Sequence, residues 1–130
     1  MESIVVDTSV VIDFLKGKRP AAEYVTGLLE AGNMAITAVT VFELRIGIPA
    51  ESKRDQALEG FFNLVLVLPL DKAAALRAAR IETELRVQGQ VIGVADTLIA
   101  GICLEHGLPL VTLNTAHFSR IPGLTVVPVG

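Results

Sequence analysis

Three carboxylates sit in apolar runs far apart along the chain. Asp7 closes Ile4-Val5-Val6, Glu43 lies inside Val39-Thr40-Val41-Phe42-Glu43-Leu44, and Asp96 lies inside the stretch from Val91 to Ala100. An ionised carboxylate in apolar surroundings is costly unless it is paired or binds a cation. Gathered by a fold, the three would form an all-oxygen site for a hard divalent cation. Each also has a plainer use. Asp7, followed by Thr8 and Ser9, can cap a helix. Glu43, with Arg45 close by, suits the open side of an amphipathic helix. Asp96 follows Gly93 and can cap a helix starting beside it, a role compatible with facing a cleft.

A fourth segment, Thr112-Leu113-Asn114-Thr115-Ala116-His117-Phe118, adds uncharged groups. Asn114 can hold a water, supply a neutral ligand or simply cap a turn. His117 can serve as a general base, as a phosphate contact or as an ordinary surface residue.

The elements that must position these residues follow from pattern. Residues 3–7 read as a short buried strand. Thr8 or Ser9 caps a helix carrying Val10, Val11, Phe14 and Leu15 to about Gly17. Pro20 opens a second helix that Gly32 stops. Residues 34–37 form a strand, and Thr40 caps a helix through Glu43 and Ile46 to about Gly47. An amphipathic helix over 52–63 precedes a buried strand over 64–68. Asp71 caps a long helix ending near Gly89, and residues 94–106 form another. Residues 110–113 and 124–127 are the last strands. Helices alternating with short apolar strands predict an α/β sandwich around a mainly parallel sheet. Such sheets bind ligands beyond the carboxyl ends of their strands, at the topological switch point. Asp7, Thr112 and Asn114 all fall at strand ends of that kind.

The 130 residues suit one domain, 1–130, with a real core. The chain is 52% hydrophobic, with a mean hydropathy of +0.58. No run reaches the roughly 18 uninterrupted apolar residues of a membrane span. Met1-Glu2-Ser3 has no basic region of the signal-peptide kind, so the expected compartment is the cytoplasm. The apolar excess predicts a buried interface, hence an oligomer or an obligate partner. The single cysteine, Cys103, excludes an internal disulfide and reads as a packed core thiol. With no CxxC and no HExxH, a zinc site is not expected. A net charge of −3 argues against an extended basic face. Two clusters, Lys16-Lys18-Arg19 and Arg77-Arg80-Arg86, are solvated surface or local phosphate contacts.

Taken together, four segments resemble the PIN-domain family, most closely the VapC-type toxins of toxin–antitoxin pairs. Ile4-Val5-Val6-Asp7-Thr8-Ser9-Val10 is similar to the family's opening strand and first acid. The stretch from Thr37 to Gly47 resembles its second motif, with hydroxyls ahead of Glu43-Leu44 and then a glycine. Ile92 to Ala100 resembles the third, an Asp followed by Ile-Ala. The stretch from Thr112 to Phe118, with Ile121-Pro122-Gly123-Leu124, resembles the closing motif. Each motif alone is weak, but four in order cover nearly the whole chain.

The resemblance implies a PIN-like three-layer sandwich and a Mg²⁺- or Mn²⁺-dependent endoribonuclease. It puts Asp7, Glu43 and Asp96 in the family's acidic pocket. Asp7 and Asp96 would hold the metal, and Glu43 would bind it through water or orient the nucleophilic water. Asn114, with Thr112 and Thr8, would position phosphate or water. Asn114 stands where an acid can appear and His117 where many relatives have Asp, which leaves the number of metals open. The implied partners are RNA, a second copy of the chain, and a VapB-like antitoxin placing an arginine in the acidic pocket. RNA loops, tRNA and messenger RNA all remain open as targets.

Rival readings differ at specific positions. A phospho-accepting receiver domain with a Mg²⁺ pocket wants paired acids at the first strand and a late lysine, but no lysine follows Lys72. A hydrolase with an Asp nucleophile wants an acid where Ser9 stands. A catalytically silent PIN-like binding module is opposed by the three acids, while Asn114 favours it.

Overall fold

The structure is a computed structural model and describes residues 2–130. Five strands form one sheet: β1 (Ile4–Val6), β2 (Met34–Thr37), β3 (Leu66–Leu68), β4 (Leu110–Thr112) and β5 (Val126–Pro128). Their order is β3-β2-β1-β4-β5, and every pairing among them is parallel. The connections carry helices α1 (Thr8–Leu15), α2 (Ala21–Ala31), α3 (Ala38–Arg45), α4 (Lys53–Phe62), α5 (Lys72–Val87), α6 (Val94–His106) and α7 (Thr115–Phe118).

Strand alternation builds two cores, because successive side chains point to opposite faces. Val5, Ala35, Leu68 and Leu110 pack with Ile81 and Leu85 of α5, Ile99 and Ile102 of α6, and Phe118 of α7. On the other face Val6, Ile36 and Val111 pack with Val10, Val25, Leu44 and Phe61 from α1 to α4. The result is the expected sandwich, a parallel sheet between two helical layers. Cys103 is fully buried in the first core, and burial, with Asp7 adding to it, pushes its thiol up to about 12.

Successive strands run outward from β1 to β3 and then resume on the other side of β1 with β4. The crevice between the carboxyl ends of β1 and β4 is therefore the switch point, where neighbouring connections part to opposite sides.

Local boundaries differ from the sequence reading in informative ways. The run 64–68 pairs only over Leu66–Leu68, and as an edge strand it leaves Leu66 and Val67 exposed. Asp7 is the residue preceding α1, ahead of the expected Thr8 or Ser9, and its carboxylate does not cap that helix. α3 begins at Ala38, not after Thr40: the Thr37 hydroxyl accepts from the Thr40 N–H, so the cap lies one turn earlier. The first turn of α6 contains Asp96, but the position before that helix belongs to Gly93, at φ 102°. The closing motif carries α7, a single helical turn. No helix among the described residues is long and apolar enough to cross a membrane.

Candidate active site

Each acid reaches the crevice from a different element. Asp7 follows β1 directly and is 4% exposed. Its Oδ2 accepts from the Ser9 hydroxyl at 2.8 Å and from the Thr112 hydroxyl at the end of β4, also at 2.8 Å. Both hydroxyls fall on the same oxygen, which leaves Oδ1 open. The Thr112 oxygen also accepts from the Asn114 N–H at 2.9 Å, so one hydroxyl ties β1, β4 and the turn after β4 together.

Glu43 sits in the middle of α3, half-buried. Its Oε1 accepts from the Thr8 hydroxyl at 2.7 Å, and the Thr8 oxygen lies 2.9 Å from that of buried Thr40. A carboxylate only accepts, so the single Thr8 proton goes to Glu43 and Thr40 donates to Thr8. Thr37, Thr40 and Thr8 thus form a hydroxyl chain that fixes Glu43 from beneath.

Asp96 faces the same crevice from α6. Its carboxyl is raised above the ordinary 3.8, first by burial, then by the charge of Asp7 and, more weakly, that of Glu43, while His117 pulls the other way. That cross-talk places the three carboxylates within electrostatic reach of one another. Asp96 Oδ2 lies 3.5 Å from Asn114 Nδ2 and 3.5 Å from His117 Nδ1, and those two nitrogens are 2.8 Å apart.

Asp7, Glu43, Asp96, Asn114 and His117 therefore share one crevice with Thr8 and Thr112. The two threonines expected to position substrate have their hydroxyls committed to carboxylates. Thr40 and Ser9 complete the network. The signal for Thr40 is the run of hydroxyls ahead of Glu43, and that for Ser9 is its place two residues after Asp7. No lysine or arginine is paired with these acids among the described residues; Arg45 pairs instead with Asp55 at 2.9 Å.

The donor set is all hard oxygen, which fits Mg²⁺ or Mn²⁺ and not a thiolate-loving metal. Among the described residues, no three His, Cys, Asp or Glu side chains close around one metal-sized point. A divalent cation here would be held by one or two carboxylates, with waters and phosphate oxygens completing its shell, as is usual for Mg²⁺. Beside Glu43 an apolar groove of about 400 Å³ opens between α1, α3 and α4, lined by Ile12, Leu15, Ile46, Ile48 and Leu58 among others.

Residues 4–124 match the PIN domain family, and the chain belongs to that family. Among characterised relatives it is 37% identical over 127 residues to the tRNA(fMet)-specific endonuclease VapC of Shigella flexneri, covering 95% of this chain and 96% of that protein. It is 35% identical over 118 residues to ribonuclease VapC1 of Methanocaldococcus jannaschii, covering 91% of this chain and 80% of that one. Among solved structures, DNA-bound VapBC from Salmonella typhimurium superposes with a TM-score of 0.82 at 28% identity over the full length of both chains.

Proposed function

We propose that this chain is the ribonuclease toxin of a VapBC-type toxin–antitoxin pair, cutting RNA phosphodiesters with Mg²⁺ or Mn²⁺. The observation that carries this reading is the convergence of Asp7, Glu43 and Asp96 at the switch point, each oxygen oriented by its own hydroxyl or amide. The VapC relatives named as ribonucleases support it.

Asp7 Oδ1 and Asp96 are the oxygens we assign to the cation. When bound, it supplies Lewis acidity at the phosphodiester and offsets carboxylate charge that would otherwise repel RNA. The protein supplies geometry. Ser9 and Thr112 hold Asp7 so that its open oxygen faces the crevice. Thr8 takes one oxygen of Glu43 and leaves the other to accept a proton from the attacking water. Asn114 and His117 restrain Asp96.

The VapB-like antitoxin is placed in the apolar groove beside Glu43, from which an arginine could reach the acids. The exposed apolar side chains of Leu15 and Ile46 along that groove are the surface such a segment would cover.

The test is incubation of antitoxin-free protein with total RNA in Mg²⁺ or Mn²⁺, in EDTA, and beside Asp96→Asn. Discrete cleavage requiring both metal and Asp96 is the expected result. A folded protein that neither cleaves RNA nor binds metal by calorimetry would instead be the silent binding module.

A further inference from the structure

The Asn114–His117 corner fixes more than the position of Asp96. A carboxylate can only accept, so the Asn114 side chain must face Asp96 with its NH₂ group, as the 3.5 Å contact has it. The same nitrogen lies 2.8 Å from His117 Nδ1. An amide nitrogen only donates, so His117 Nδ1 must be the acceptor there. A proton on Nδ1 would set two N–H groups against each other at that distance, in return for a long 3.5 Å contact with Asp96. The neutral ring therefore carries its proton on Nε2.

Nε2 points away from Asp96, because Nδ1 takes the side facing the acids. It has no protein partner among the described residues, yet it is not among the buried unpaired polar atoms. The side chain is 39% exposed. At this rim of the crevice Asn114's amide is committed, the threonine hydroxyls are committed and no cation is present. The His117 Nε2–H is the one side-chain donor of this corner left free to meet an incoming group.

We propose that His117 is a substrate contact, its tautomer set by Asn114 so that Nε2–H donates an uncharged hydrogen bond to a phosphate oxygen of the RNA. This rests on reading the crevice as a phosphodiester site. A neutral donor lets an acidic pocket hold phosphate without adding a charge that would compete with the cation. It also gives the departure from a fourth acid a function: an acid at 114 would accept from Nδ1–H and turn the bare Nε2 lone pair toward the phosphate.

The tautomer can be read without any activity. In ¹⁵N-histidine-labelled protein at about pH 8.5, where an imidazole is neutral, long-range ¹H–¹⁵N correlations should show His117 protonated on Nε2. In Asn114→Asp they should show the proton moved to Nδ1. Affinity for a single-stranded RNA that the wild type cleaves is then measured on the Asp96→Asn background, with Mg²⁺ present. His117→Ala should weaken binding about tenfold, the scale of one hydrogen bond to a charged group. His117→Gln, whose amide nitrogen reaches near the Nε2 position, should restore most of it. An Nδ1–H tautomer in the wild type, or unchanged binding by His117→Ala, overturns the proposal while leaving the nuclease intact. Failure of the wild type to cleave any RNA overturns the nuclease reading and this contact with it.

Discussion

Asp96 carries the sharpest prediction among single residues. Burial and the neighbouring acids raise its carboxyl, so the folded chain holds that proton more tightly than the unfolded chain does. The stability this provides is fully present below the ordinary carboxylate value and is lost as pH rises through the raised one. At neutral pH without metal, Asp96→Asn should therefore melt at a higher temperature than the wild type and lose part of the decline with rising pH. Added Mg²⁺ should raise the melting temperature of the wild type more than that of the variant. Thermal scans against pH and metal check both, and RNA cleavage by the variant should fall by more than about a hundredfold. Thr112→Val tests the hydroxyls, because it keeps the shape but frees Asp7 Oδ2. A drop in activity of about 10- to 100-fold with a native circular dichroism spectrum is expected, the usual scale for partners that orient metal ligands. The acids themselves were legible in the sequence, because charges inside apolar runs are conspicuous. The hydroxyl partners were legible only as neighbours, since nothing in the spacing of Thr112 and Asp7 says that strands 105 residues apart lie side by side.

The closest packing between elements is at α5 and α6. A Cβ built on Gly101 would meet Ala78 Cβ at 2.7 Å and the Ala74 carbonyl oxygen at 2.9 Å, leaving no room for a methyl group. Gly101→Ala should cost about 1–3 kcal/mol in denaturant unfolding and shift α6, so cleavage should fall along with stability. The helices and their order could be read from periodicity and caps, with α6 placed to the residue and Asp71 capping α5 through the Ala74 N–H. The errors arose where a local signal had two outcomes. Thr37 and Thr40 both offer hydroxyls to the start of α3, and only the course of β2 decides between them. The apolar run 64–68 resembles a central strand because its exposure depends on being the sheet's edge, which is a property of the neighbours it lacks.

For the molecule as a whole, the apolar excess appears partly as open surface. Leu15 is 51% exposed and Ile46 65% exposed along the groove beside Glu43. Leu15→Glu should weaken antitoxin binding by about tenfold or more, by putting a charge where an apolar anchor is expected, and leave RNA cleavage by the free toxin unchanged. Pull-down with the co-expressed antitoxin, next to a cleavage assay, checks this. Parallel pairing was predictable in outline from the alternation of helix and strand. The order with β1 at the centre was not, because parallel strands leave no hairpin signal to say which neighbours pair.

That order has a consequence for how the protein is made. β1 and the first two acids leave the ribosome early, but the hydroxyl that sets Asp7 arrives on β4, near the end of the chain. A nascent or truncated chain can fold its first helices and still lack an organised crevice. Domains generally fold as units during synthesis, and here the cutting site is among the last parts to be completed. A toxin wired this way stays harmless on the ribosome that produces it, and the antitoxin groove, built from α1, α3 and α4, is available before the blade is finished.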